Sequence, residues 1–269
     1  LIHYYCYRWQ DSNNGASQGV VLRLDESTGD APYATLAETV AQIYKDCQDA
    51  IALFGESGID RPASEVWIPN ANVAHAVYAR AALFRQDYQT ALDQAKLAKQ
   101  GYPLMSNADY KAGFCAPTSE WIMGSYGDAS ENNWYWSYGT QGACNGYYAT
   151  ADGNATGAGT IGHELISRIP NNDARKQNFL TEDKFPNLDL SKESPYYYTF
   201  GILGMMDDDI YAQADSIVKA HAVKGLATPY QAGFYYLDAN LKFFVTDQPG
   251  VSYLPFIRSS EMVLIEAEA

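Results

Sequence analysis

The chain has 269 residues, 47% of them hydrophobic, which is enough to bury a substantial core and excludes disorder as the starting assumption. Acidic residues outnumber basic ones 32 to 18, and the formal net charge of -14 excludes nucleic acid, or an anionic lipid surface, as a partner met through basic patches. Aromatic content is weighted to 22 Tyr and 5 Trp against 10 Phe, the ring types favoured where one side is apolar and the other stays wet, although loop-rich packing uses them too.

Cys6, Cys47, Cys115 and Cys144 lie far apart and form no CxxC pair, so zinc and thioredoxin-type chemistry lack their spacing. No run of about 18 apolar residues occurs, so nothing reads as a spanning helix. The chain opens at Leu1-Ile-His-Tyr-Tyr5 and stops at Ala269 inside a helical pattern, so it reads as cut at both ends, with any targeting signal upstream.

In chain order, the first helix signal is the capping box Thr35-Leu-Ala-Glu38. Leu36, Val40, Ile43, Tyr44, Cys47, Ala50, Ile51 and Phe54 follow at helical spacing, and Gly55 is the expected stop. Cys47 falls on that apolar stripe and reads as a small core residue. Next, Asn70 to Phe84 and Tyr88 to Lys99 read as two helices joined by a tight turn at Arg85-Gln86-Asp87. Setting Ala91 on the signature alanine of a tetratricopeptide repeat puts Ala79, Ala98 and Pro103 on its other small and closing positions. Small residues are needed there because antiparallel helices approach closely only where small side chains face each other. The expectation is an almost wholly helical stretch from Thr35 to Pro103, with Ala79 and Ala91 at a helix–helix contact; an ordinary helical hairpin is the plainer alternative. A lone repeat cannot bury its faces, so a neighbour is required, and the helix from Thr35 to Phe54 is a candidate for half of one.

From Gly124 to Gly162 the helical period disappears, and Gly, Asn, Ser, Thr, Tyr and Trp dominate. A loop this long in a compact protein points to function, and its aromatics argue against disorder. Short helices are expected at about Ile161 to Arg168 and Asp208 to Val223. Phe234-Tyr-Tyr-Leu and Leu241-Lys-Phe-Phe-Val read as short strands, and a last helix starts near Ser259-Ser-Glu261.

These segments resemble the SusD/RagB family of starch-utilisation-type, nutrient-binding outer-membrane lipoproteins. Gly19-Val-Val-Leu22 is similar to the family's GVPL segment, and Thr35 to Ile51 to its first conserved helix. Gly101-Tyr-Pro-Leu104, Ser119-Glu-Trp-Ile122, Asn172-Asp-Ala-Arg175 and Lys242-Phe243 follow in family order. Pro255-Phe-Ile-Arg-Ser-Ser-Glu261 and Leu264-Ile-Glu-Ala-Glu-Ala269 resemble its ending. Departures are Val21 for the usual proline, Cys47 for leucine, and Leu254 where an acid commonly precedes Pro255.

The resemblance implies a mainly α fold: a tetratricopeptide-like helical repeat scaffold with a loop-rich, irregular second lobe containing a few short strands. On that reading, residues 1–123 form an extended N-terminal segment plus the repeat-like helices, 124–250 the ligand-facing lobe, and 251–269 the start of a helix returning to the scaffold. It also implies a glycan (oligosaccharide or polysaccharide) as ligand and a SusC-like TonB-dependent transporter as partner. The location would be the outer face of the outer membrane, through a lipid anchor upstream of this chain. No cofactor is implied.

The candidate ligand surface is Asn132, Asn133, Trp134, Tyr135, Trp136 and Tyr138, continued by Tyr147 and Tyr148. Sugar C–H faces stack on flat rings, and their hydroxyls need partners such as Asn132, Asn133 or Asp128. If the segment is extended, Trp134 and Trp136 share a face with Tyr135 opposite; the plainer reading puts half these rings in the lobe's core. Tyr196-Tyr-Tyr198 and Tyr4, Tyr5, Tyr7 and Trp9 stand second.

Three motif matches fail on context. Gly157-Ala-Gly-Thr-Ile-Gly162 fits GxGxxG but has no hydrophobic strand before it. Asp152-Gly-Asn154 opens like a calcium loop, yet its twelfth position is His163, so an EF-hand fails and only a calcium site of another type stays open. His163-Glu164 lacks the second zinc histidine, because Ser167 stands there. No carboxylate pair sits in a recognisable glycosidase frame and no GxSxG occurs, so the expected function is binding without catalysis and without a metal. A peptide- or protein-binding helical-repeat module on the same surface is the alternative.

Overall fold

The computed structural model describes residues 1–111, 114, 116–126, 162–185, 202–203, 208–221, 235–238, 242 and 253–269. It is mainly helical with a few short strands, and the chain divides into two compact units. The first unit comprises Leu1–Leu104, Ser119–Gly124 and Phe256–Ala269; the second comprises Met105–Thr118 and Ser125–Pro255.

In the first unit, helix α1 spans Leu36–Ser57. The capping box is formed: Glu38 N donates to Thr35 Oγ1 at 3.2 Å, and Thr35 N donates to the Glu38 carboxylate at 2.8 Å. Leu36, Thr39, Val40 and Cys47 are buried, and Ile43, Tyr44, Ala50, Ile51 and Phe54 are half-buried along the same stripe. Burial pushes the Cys47 thiol up to about 11, so it behaves as a small apolar side chain. The expected stop at Gly55 is wrong. The helix runs through it and ends at Gly58, whose φ of 61° lies in the left-handed region. A mid-helix glycine costs only about 1 kcal/mol, whereas a left-handed glycine ends the hydrogen-bond ladder outright.

Strands β1 (Gln18–Val21) and β2 (Tyr33–Thr35) pair antiparallel just ahead of α1, with a register shift between Gln18 and Val21. Gly19 lies where a Cβ would meet Thr39 Oγ1 at 2.3 Å and the Thr35 carbonyl oxygen at 2.5 Å. The adjoining Val20 N donates to Thr39 Oγ1 at 3.2 Å. Gly19→Ala should therefore force strand and helix apart and cost about 1–3 kcal/mol in urea unfolding. An unchanged midpoint would mean the strand can shift freely.

Helices α2 (Ala71–Phe84) and α3 (Tyr88–Ala98) form the expected hairpin, the most extensive helix pair of the described residues. Asn70 caps α2 by accepting from Val73 N at 3.2 Å, and Asp87 caps α3 by accepting from Thr90 N at 3.3 Å. The turn between them needs Gln86 at φ 63°. Val73, Ala76, Ala79 and Ala82 line one face of α2, and Ala91, Ala95 and Ala98 one face of α3, all in one buried cluster. Ala79 and Ala91 are 0% exposed. Ala91→Leu should overpack this contact and cost about 1–3 kcal/mol, read by denaturant unfolding; an unchanged midpoint would show that the helices have room to separate.

The stretch from Thr35 to Pro103 is not almost wholly helical, because 58–70 forms an irregular connection. Arg61 holds it: Nη1 donates to the carbonyls of Val66 (3.1 Å) and Ile68 (2.6 Å), and Nη2 to Tyr102 OH (3.0 Å) and the Ile122 carbonyl (2.7 Å). One guanidinium thus satisfies a loop that has no ladder of its own.

The remaining neighbours of the hairpin come from both directions in sequence. Helix α1 packs on α2 through Tyr44 and Tyr78, whose rings meet edge-on at 4.7 Å, with Gln48 donating to Tyr78 OH at 2.8 Å. Strands β3 (Trp121–Gly124) and β6 (Pro255–Arg258) pair, and β6 leads into the last helix, α6 (Ser259–Glu268). Met262 and Ile265 of α6 join the alanine cluster together with Ile122 and Ile257. Arg80 of α2 grips Glu261 with two hydrogen bonds of 2.6 Å, and Lys99 meets Glu266 at 2.6 Å.

The second unit contains α4 (His163–Ser167), α5 (Asp208–His221) and the antiparallel strands β4 (Ile202–Leu203) and β5 (Tyr235–Tyr236). Helix α4 is shorter than its expected span; α5 follows its expected span as far as His221, and of the expected strand around Phe234 the described part is Tyr235–Tyr236. Of Leu241–Val245, only Lys242 lies within the described residues. Ile166, Phe179, Leu180, Phe185, Ile210, Ala214 and Leu237 are buried there.

Candidate functional site

The sequence-derived ligand residues, Asn132, Asn133, Trp134, Tyr135, Trp136, Tyr138, Tyr147 and Tyr148, lie outside the described residues, as do Tyr196–Tyr198 and the Asp152–Asn154 segment. Their chain flanks are described. Ser125 N donates to the Leu254 carbonyl at 2.8 Å, Leu254 N returns a bond to Ser125 Oγ at 2.9 Å, and the Tyr126 and Tyr253 rings meet edge-on at 6.2 Å. Among the second-rank aromatics, Tyr4, Tyr5 and Tyr7 are exposed. Trp9 is half-buried, with the Arg85 guanidinium over its ring at 5.5 Å, so it packs rather than projects.

Within the second unit the described residues form a depression of about 510 Å³, in the size range of small-ligand sites. It is lined by α4, the 3-10 turns Ala174–Asn178 and Glu182–Lys184, and the turn following β5. Asp238 sits in that last turn at φ 61° and donates its backbone N–H to the Leu180 carbonyl at 2.9 Å. Its carboxylate is buried, and Oδ2 lies 2.8 Å from His163 Nδ1. A carboxylate only accepts, so Nδ1 carries the proton, and the mostly exposed His163 ring keeps Nε2 for other work. Ile166 and Phe185 supply buried apolar wall, and Glu182, Asp183 and Lys176 complete the charged lining.

The first turn of this wall is built by the Asn172-Asp-Ala-Arg175 motif. Asp173 accepts from Arg175 N at 2.9 Å and from the guanidinium at 2.6 Å, capping the 3-10 turn. The Arg175 side-chain hydrogen bonds, then its backbone N–H, hold the Asp173 carboxyl down at about 2 against an ordinary 3.8. A depressed folded-state value stabilises the fold above pH 3.8, and that contribution is lost as pH falls through about 2. A carbon-detected NMR titration should place the Asp173 midpoint near 2, and Arg175→Gln should return it toward 3.8. A midpoint that stays low in the variant would remove the ion pair as the cause.

Ser167 Oγ gives its proton to the Glu164 carbonyl at 2.8 Å, so no Ser–His relay is set up with His163. Among the described residues no group of three or more His, Cys, Asp or Glu is placed to hold a metal ion. The His163–Asp238 pair is a feature that sequence reasoning missed; the partners are 75 positions apart and no local motif links them.

No protein-family model matches the sequence, and no curated protein is similar to it. Solved structures are. A helical, loop-rich chain of this kind matches a SusD-like carbohydrate binding protein from Bacteroides vulgatus with a TM-score of 0.62 and 17% identity, over 93% of this chain and 43% of that one. A SusD superfamily protein from Bacteroides thetaiotaomicron matches with a TM-score of 0.62 and 19% identity, over 100% of this chain and 50% of that one. A further SusD superfamily protein from Bacteroides vulgatus gives 0.61 and 17%, over 97% and 48%. The fold is SusD-like, and the chain spans about half the length of the solved proteins it matches or slightly less.

Proposed function

We propose that this chain is part of a cell-surface glycan-binding protein that captures oligo- or polysaccharide and delivers it to a SusC-like TonB-dependent transporter. The observation that carries the reading is the fold match to a SusD-like carbohydrate binding protein over 93% of the chain. Features of the sequence support it. The stretch 124–250 is rich in the Tyr and Trp that stack on sugar rings, and Asn132 and Asn133 stand beside Trp134 and Trp136 to meet hydroxyls. The net charge of -14 disfavours nucleic acid. No described helix is long and apolar enough to cross a membrane.

The protein binds saccharide without turning it over. Calorimetric titration against a panel of oligosaccharides and a panel of oligopeptides tests this. Saturable heat with at least one glycan and none with peptides is expected. Peptide binding alone, or release of reducing ends above a no-protein control, would overturn it.

A further inference from the structure

Asn14-Gly15 joins an exposed asparagine to a buried glycine just ahead of β1. With no Cβ on the glycine to hinder it, the backbone nitrogen that follows an asparagine can attack the side-chain amide. Gly15 N gives its proton to hydroxide and bonds to Asn14 Cγ, the Cγ–Nδ2 bond breaks, and the side-chain nitrogen, reprotonated by water, leaves as ammonia. Water then opens the five-membered imide at either carbonyl, leaving aspartate or isoaspartate.

The backbone conformation selects this reactive pair. Asn13 (φ 53°), Asn14 (φ 54°) and Gly15 (φ 81°) all lie in the left-handed region, which asparagine and glycine tolerate best. The same fold engages the nucleophile. Gly15 N donates to Ser12 Oγ at 2.8 Å, Ser12 Oγ donates to the Trp9 carbonyl at 2.6 Å, and Ser12 is 1% exposed. The Gly15 carbonyl accepts from Ala37 N at 2.9 Å in the first turn of α1. Gly15 also lacks room to shift, since a Cβ there would meet Ala37 Cβ at 2.7 Å and Trp9 Cη2 at 2.8 Å.

We propose that Asn14 is a site of spontaneous deamidation that Ser12 holds off. While Ser12 Oγ keeps the Gly15 N–H, the nitrogen is withheld from Asn14 Cγ, and local opening of residues 9–17 starts the reaction. The change runs one way. Isoaspartate lengthens the main chain between Asn14 and a glycine packed against Ala37 and Trp9, so the modified segment cannot regain its place and the Gly15–Ala37 bond at the head of α1 is lost.

The test incubates the full chain and a synthetic peptide of residues 9–18 in one mildly alkaline buffer. Peptide mapping follows Asn14 and separates it from Asn145-Gly146, the other such pair in the sequence. Asn14 should convert at least about tenfold more slowly in the chain than in the peptide. Ser12→Ala, with its fold checked by circular dichroism, should convert about tenfold faster than the unmodified chain, the worth of one hydrogen bond. Conversion of the unmodified chain at the peptide's rate, or a folded Ser12→Ala that converts no faster than the unmodified chain, overturns the proposal. If Ser12→Ala does not fold, amide hydrogen exchange of the unmodified chain decides. Gly15 N–H exchange and Asn14 conversion should then quicken together as urea is raised below the unfolding transition. Exchange that quickens while conversion stays constant overturns the proposal equally.

Discussion

Replacing Arg258 by methionine should lower the unfolding free energy by about 3–5 kcal/mol, because it takes the neutralising guanidinium away from a buried carboxylate. Glu120 is 3% exposed and lies 3.0 Å from Arg258 Nη1; Ser260 Oγ donates to the same carboxylate oxygen, and Ser259 N donates to the Glu120 backbone carbonyl at 2.9 Å. This knot joins the segment Ser119-Glu-Trp-Ile122 to Pro255-Phe-Ile-Arg-Ser-Ser-Glu261 and so fixes where α6 begins. A surface ion pair would contribute at most about 1 kcal/mol, so the size of the effect separates the two descriptions. Removing both charges, with Glu120→Leu alongside Arg258→Met, should recover much of the loss, since an apolar pair of similar volume replaces a pair that is costly to desolvate. Urea unfolding of the two variants decides it. A single-variant loss under about 1 kcal/mol would mean that water reaches the carboxylate.

Replacing Trp134 and Trp136 together by alanine should weaken glycan binding by about 1–3 kcal/mol, a factor of about 5 to 150, by analogy with bases stacked on aromatic rings. The melting temperature should change little, because rings that wait for a ligand contribute to binding and not to folding. Two core aromatics lost to alanine would instead cost about 3–5 kcal/mol of stability each. Calorimetric titration and thermal unfolding of one preparation distinguish the outcomes. A large fall in stability with affinity intact would move both tryptophans into the core and turn attention to Tyr147, Tyr148 and Tyr196–Tyr198.

The features legible in the sequence are those set by neighbours within one helical turn. The capping box at Thr35 and Glu38, the tight turn at Arg85-Gln86-Asp87 and the small residues on one face of α2 and of α3 all follow from spacings of three or four residues. The order of family-like motifs led from those elements to the SusD-like fold. The same motifs carried no account of what their residues do. Gly19 turns out to sit against Thr35 and Thr39, and Asp173 and Arg175 build a capped turn.

Tertiary structure decided the rest. Gly55 and Gly58 look alike in sequence, and only the chain's exit toward the 58–70 connection selects the left-handed glycine that ends α1. That connection is held by Arg61 bonds reaching as far as Ile122, which no helical period encodes. The hairpin's further neighbour is α6, locked through Arg80 and Glu261, 181 positions apart. The Glu120–Arg258 pair spans 138 positions and the His163–Asp238 pair 75. Local signals arise from backbone geometry that every chain shares, so they can be read from spacing alone. A buried charge pair exists only once folding has removed water from two distant segments at the same point, and spacing along the chain carries no trace of it.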